Sequence, residues 1–150
     1  MDSEQDYLAS FNQLMVPSIS KIQRLLTPLL EKALKKPGIS LAEFRIVGIL
    51  MGEESGFSQK QLAEKLGISS PSLSVSINKL ENKQWVVRIN DHQDQRIKRI
   101  ALAPKANFES IYHLIMALES QATAGITEKD LKTTKRVLEK MLENINPVSL

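Results

Sequence analysis

The 150-residue chain contains no cysteine. Disulfides, thiolate metal sites and thiol-based redox sensing are therefore excluded. Its two histidines, His92 and His113, are too few to build a structural zinc site by themselves. Aromatic residues make up 5% of the chain, too little for the stacking surface that binds single-stranded nucleic acid. No apolar run approaches the roughly 20 residues that span a bilayer. The opening MDSEQDY is polar and acidic, unlike a signal peptide. These absences make a cytoplasmic protein the expectation. No phosphate-binding loop, metal cluster or nucleophile–base pair stands at a recognisable spacing, so neither an enzyme nor a cofactor is expected. The length suits one domain, long enough to bury a core without staples.

Charge is concentrated in one place. Between Ser58 and Arg99 there are eight Lys/Arg (60, 65, 79, 83, 88, 96, 98, 99) against four Asp/Glu (64, 81, 91, 94). That stretch is formally +4, whereas the whole chain is +3. A basic stretch inside a nearly balanced chain is where a polyanion would be met.

Apolar residues at Leu8, Phe11, Met15, Ile19, Ile22, Leu26, Leu29 and Leu30 step by three and four, which predicts helix. Pro17 and Pro28 predict a kink or break at each, with helix on both sides of Pro17. Lys35-Lys36-Pro37-Gly38 predicts a stop. Ser40 and Glu43 form a capping-box pattern, and so do Ser58 and Gln61. The first opens a helix buried through Phe44, Val47, Leu50 and Met51. Gly52 to Phe57 reads as loop. The second opens a helix buried through Leu62, Ala63 and Leu66. Gly67-Ile68-Ser69 reads as a tight turn, with Gly67 at φ > 0 and Ile68 plugging the gap between helices.

Ser70-Pro71 starts the next helix, with Ser70 as cap and Pro71 at the first helical position. Leu73, Ile77 and Leu80 fall on its inner side. Ser72, Val75, Ser76 and Lys79 are left on the other, a face that is small, polar and nearly uncharged. Serine hydroxyls can approach base edges and bond to donors or acceptors. Trp85–Asn90 and Ile97–Leu102 read as paired strands, with Asp91–Arg96 as the tip. Pro104 opens a further helix through Phe108, Ile111, Ile115, Leu118 and Ala122. Thr127 and Asp130 cap a last one, running on Leu131, Leu138, Met141, Leu142 and Ile145 to Pro147. Helix, turn, helix and a two-stranded wing, in that order, are the elements of a winged helix-turn-helix. The fold expected is mainly α with a small β-hairpin wing.

LAEFRIVGIL, SQKQLAEKLGISSPSLSVSINKLENKQWVVR, DHQDQRIKRIALAPKA and ITEKDLKTTKRVLEKMLENI together resemble MarR-family transcriptional regulators. The likeness covers nearly the whole chain. It implies a single MarR-like domain over 1–150, with 1–36 and 104–150 as dimerisation helices and 40–102 as the winged lobe. It implies a homodimer on double-stranded DNA, acting as a repressor on a near-palindromic operator. Release by a small aromatic or phenolic acid is a further expectation. The recognition helix is Ser70 to about Lys83, and Arg96 is the wing arginine that reaches the minor groove. DNA contacts are expected from Ser70 (mainly a cap), Ser72, Val75, Ser76, Lys79, Arg96 and Lys98. Lys83, Arg88 and Arg99 join Lys79 and Lys98 as phosphate candidates. Asp91 and Asp94 shape the turn and orient basic groups.

Three departures from the family pattern matter. Gln93 stands where a first wing arginine is common. Val75 stands where an arginine that reads bases is frequent. Gln84 stands where the helix often ends in glycine, so the chain must turn into Trp85 without an easy φ > 0 residue. The absence of cysteine removes the family's peroxide-sensing variant. A winged helix also serves in protein docking without DNA, because fold alone does not set function.

Overall fold

The computed structural model describes residues 4–104 and 106–145, with no account of the side chains of 4–6. The chain divides into two compact units, Met1–Ile111 and Tyr112–Leu150. In chain order the elements are α1 (Glu4–Phe11), α2 (Met15–Leu34), α3 (Leu41–Leu50), β1 (Phe57–Ser58), α4 (Gln59–Leu66), α5 (Ser70–Asn82), β2 (Val86–Asn90), β3 (Lys98–Leu102), α6 (Phe108–Ala122) and α7 (Glu128–Ile145). The mainly helical fold with a small antiparallel sheet is that of a winged helix.

The break near the start falls at Asn12–Leu14 rather than at Pro17. Pro17 lies in the first turn of α2, where an amide donor is not needed. Pro28 sits inside α2, which runs on to Leu34. Gly38 follows at φ 74°. The capping box at Ser40 forms in full: Glu43 N–H donates to Ser40 Oγ, and Ser40 N–H to the Glu43 carboxylate. Buried α3 residues are Glu43, Ile46, Val47 and Leu50. Met51 lies past the helix end and is exposed, so the inner side is shifted from the one expected. The box at Ser58 and Gln61 also forms.

The stretch expected to be loop up to Phe57 ends in a strand. Phe57 pairs with Ile100 and Ser58 with Arg99, so β1 joins the wing as its third strand, in the order β1-β3-β2. Two residues are too few to reveal a period of two in sequence. Ile68 is 40% exposed, so it is not the buried plug expected between the two helices. Leu62, Leu73, Ile77 and Leu80 are fully buried, and Val47, Trp85, Val86, Ile100 and Ile111 are core residues too. Each such side chain is worth roughly 1.5–3 kcal/mol. The inner stripe of α5 thus holds that helix in place, and its outer face has no duty in the core.

Helices α4 and α5 end in the same way. The Ile68 amide returns to Ala63 O and the Gly67 amide to Glu64 O. The Trp85 amide returns to Leu80 O and the Gln84 amide to Glu81 O. Both are Schellman ends needing one left-handed residue. Gly67 supplies it at φ 63°, and Gln84 is forced to the same φ of 63°. A side chain there costs about 1–2 kcal/mol, partly offset by glycine's freedom in the unfolded chain. Gln84→Gly is therefore expected to stabilise by about 0.5–1 kcal/mol, raising Tm by a few degrees in a thermal melt. A fall in Tm would show that the Gln84 side chain makes a compensating contact.

After β3 the chain does not enter a helix at Pro104. Ala103 N–H bonds to Trp85 O and Ala106 N–H to Ala103 O. Asn107 accepts from Ser110 N–H at 3.4 Å, and α6 starts one residue later. Phe108 then meets Trp85 edge to face, centroids 5.7 Å apart. In the second unit Thr127 Oγ1 accepts from Asp130 N–H and caps α7. The stop predicted at Pro147 lies outside the described residues.

Candidate nucleic-acid interface

Helix α5 starts one residue earlier than its sequence predicts. Ser69, not Ser70, is the N-cap, and its hydroxyl accepts from Ser72 N–H. Three of the four residues Ser69–Ser72 are serine, so composition does not decide the register. Pro71 fits equally at the second helical position, whose amide would be unbonded anyway. Ser70 is then an exposed first-turn residue. Ser72, Val75 and Lys79 are exposed on the outer face, and Ser76 is half-buried on its flank. Ser74 faces the other way and accepts from Gln59 of α4. Asn78, exposed on the outer side, escaped the sequence reading.

The wing register is continuous: Val86 opposes Leu102, Arg88 opposes Ile100 and Asn90 opposes Lys98. At the tip, Asp91 Oδ1 accepts the Gln93 and Asp94 amides at 2.9 and 3.0 Å. Asp91 Oδ2 accepts from Arg99 at 3.0 Å. The Asp94 and Gln93 amides, then Arg99, hold the Asp91 carboxyl below its ordinary range. Asp94 is lowered chiefly by the Arg96 guanidinium and next by the Arg96 amide. Both aspartates thus organise the turn, as their place in the sequence implies.

Exposure separates the two wing arginines. The Arg96 side chain is 91% exposed and pairs with Asp94 at 3.0 Å. A pair so exposed is worth little, so the guanidinium can leave Asp94 at small cost. Arg99 is 20% exposed. It donates to Ser55 O at 2.9 Å, Gly56 O at 2.5 Å and Asp91. Its role is to bind the β1 loop to the wing, which its place among eight basic residues did not reveal. Lys98 donates to Asn90 on the opposing strand and stays exposed.

Residues 38–97 match the MarR family by sequence. The winged lobe belongs to the MarR family. Solved structures agree on the fold. A MarR-family regulator from Silicibacter pomeroyi superposes with TM-score 0.80 at 19% identity, covering 89% of this chain and 90% of that one. A MarR regulator from Methanosarcina mazei gives 0.75 at 23%, covering 87% and 94%. CouR from Rhodococcus jostii, solved bound to p-coumaroyl-CoA, gives 0.71 at 19%, covering 82% and 87%. The Silicibacter pomeroyi and Methanosarcina mazei proteins are transcriptional regulators.

Within the MarR-family lobe two more cations are engaged internally. Lys83 Nζ lies 2.7 Å from the buried carboxylate of Glu43, joining the end of α5 to the start of α3. Arg88 bridges Glu81 and Asn78 Oδ1. Sequence spacing does not reveal the first link, since Lys83 and Glu43 lie 40 residues apart. His92 is exposed at the tip, and His113 is exposed with its ring 5.8 Å from that of Tyr112. Among the described residues no cluster of three or more His, Asp or Glu is arranged to hold a metal ion. No described helix is long and apolar enough to cross a membrane.

Proposed function

We propose that the protein is a homodimeric repressor that binds a near-palindromic operator in double-stranded DNA. The observation that carries this reading is the pairing of an α5 face free of core duty with a wing arginine 91% exposed, both in the basic lobe. Helix α5 enters the major groove, presenting Ser70, Ser72, Val75, Ser76 and Lys79. Arg96 leaves Asp94 for the minor groove, which attracts a guanidinium where A·T pairs narrow it. Lys98 meets the backbone beside it. Two copies place their α5 helices about 34–36 Å apart, one helical turn of DNA. The segments 1–36 and 104–150 supply the dimer contacts. Tyr7, Leu8, Phe11, Leu25 and Leu142 are each more than half exposed in one chain, which a partner would relieve.

Release by an aromatic acid is supported by an apolar groove of about 320 Å³ between α2 and α3. Ile19, Ile22, Leu26 and Phe44 line it, with Arg45 as its cation. CouR, of similar fold and solved bound to p-coumaroyl-CoA, supports the reading. Binding there shifts the population of lobe spacings away from the one that fits two grooves.

Selection of bound genomic fragments, followed by gel shift, tests the reading. A discrete near-palindrome is expected, with affinity falling on the order of 10³-fold between about 50 and 200 mM salt. Arg96→Ala is expected to weaken that complex about tenfold and to flatten the preference for A·T flanks. Retention of no specific fragment at any salt would leave a docking module instead.

A further inference from the structure

The exposed face of α5 has an apolar centre. Leu73, Ile77 and Leu80 are all 0% exposed and mark the inner side. At roughly 100° per residue, Val75 lies about 200° from Leu73, near the middle of the outer side. It is 55% exposed. A β-branched residue there helps neither the core nor the helix, since it loses rotamer freedom against the preceding turn. Around it stand Pro71, Ser72, Asn78 and Lys79.

Among these neighbours only Lys79 could make a bidentate contact with a base, and it would take a guanine. Helix α5 contains neither arginine nor glutamine. Asn78 already uses its amide oxygen on Arg88, at 2.8 Å. Ser72 is polarised: Ser69 Oγ accepts its amide and donates to its hydroxyl oxygen at 2.9 Å. The Ser72 proton is left to be donated outward, one turn before Val75. The major groove offers one apolar feature, the C5 methyl of thymine, and its acceptors include purine N7 and thymine O4.

We propose that Val75 reads a thymine in each half-site through the C5 methyl, with the Ser72 hydroxyl donating to an adjacent acceptor. This rests on the DNA-binding reading above and adds a base identity to it. The contact checks for a methyl group, not for a hydrogen-bond pattern. A 5-methylcytosine at the same step therefore satisfies Val75 where cytosine does not.

The test uses the full-length protein and the operator returned by selection. Each thymine of the half-sites is replaced in turn by deoxyuridine, which removes the methyl and nothing else. At one symmetric position, affinity should fall about fourfold for one half-site and about tenfold or more for both. Val75→Ala should bind the thymine and uracil operators equally, with a melting temperature unchanged or slightly raised, because Val75 is outside the core and alanine is the better helix former. Cytosine at that position should weaken wild type, and 5-methylcytosine should recover most of the loss. Uracil tolerated at every position would overturn the proposal while leaving the DNA-binding reading intact. So would a uracil effect of the same size in Val75→Ala. Failure to retain any operator would remove both.

Discussion

Gly56→Ala is expected to lower the melting temperature by about 10 °C, a loss of about 3–5 kcal/mol. Two costs combine. Gly56 sits at φ 67°, where a side chain costs about 1–2 kcal/mol. A Cβ built there would also lie 2.2 Å from Ile100 O and 2.8 Å from Ile100 C. Those atoms are backbone in the central strand of the sheet, so they cannot swing aside. The β1–β3 pairing must open instead, and with it the Gly56 carbonyl that Arg99 holds. Gly48 is the control. It lies in the interior of α3, exposed, with nothing within 4 Å of an added Cβ. Gly48→Ala should be neutral or stabilising by up to about 1 kcal/mol, from helix propensity alone. Equal Tm values for the two variants, read by calorimetry or circular dichroism, would disprove the tight approach of Gly56 to β3.

The contrast between these glycines shows where sequence reasoning reaches and where it stops. Gly67 and Gln84 were legible because a helix end is local. The inner stripes on either side set the register, and the residue after the last turn must then be left-handed. The Ser40 and Ser58 capping boxes were legible for the same reason, since both partners lie within one turn. Gly56 reads as one more loop glycine because its reason is Ile100, far along the chain. Arg99 reads as one more cation because its acceptors are backbone carbonyls of Ser55 and Gly56, which no residue type announces. The Glu43–Lys83 pair was hidden likewise. Where local signals were degenerate, the error was one of register. Ser69 took the cap from Ser70, and Asn107 took the helix start from Pro104. The candidate interface was legible at the level of faces, since Leu73, Ile77 and Leu80 define the opposite side of α5. It was not legible at the level of which cations are already spent.

Charging the apolar face of α7 should cost more affinity for DNA than any change within the winged lobe. Helix α7 runs for 18 residues without burying one of them. Most helical stability in proteins comes from packing of an amphipathic face rather than from propensity. Leu131, Leu138, Leu142 and Ile145 recur at steps of seven, four and three along one side. Leu142 and Ile145 are 63% and 74% exposed. On the proposed reading, a second copy covers that side and ties two winged lobes together. The second lobe then binds at an effective concentration set by the dimer, a gain of about 10²–10⁴ over one lobe alone. Leu138→Glu with Leu142→Glu places four carboxylates in the paired seam. The variant should sediment as a monomer and lose about 10²–10⁴-fold affinity for the full operator. Affinity for a half-site duplex should stay close to that of one wild-type lobe, because α5 and the wing are unchanged. The half-site measurement separates a broken dimer from a broken lobe. A monomeric variant that still held the full operator at wild-type affinity would mean that a single lobe supplies all the binding, and the paired reading would be wrong.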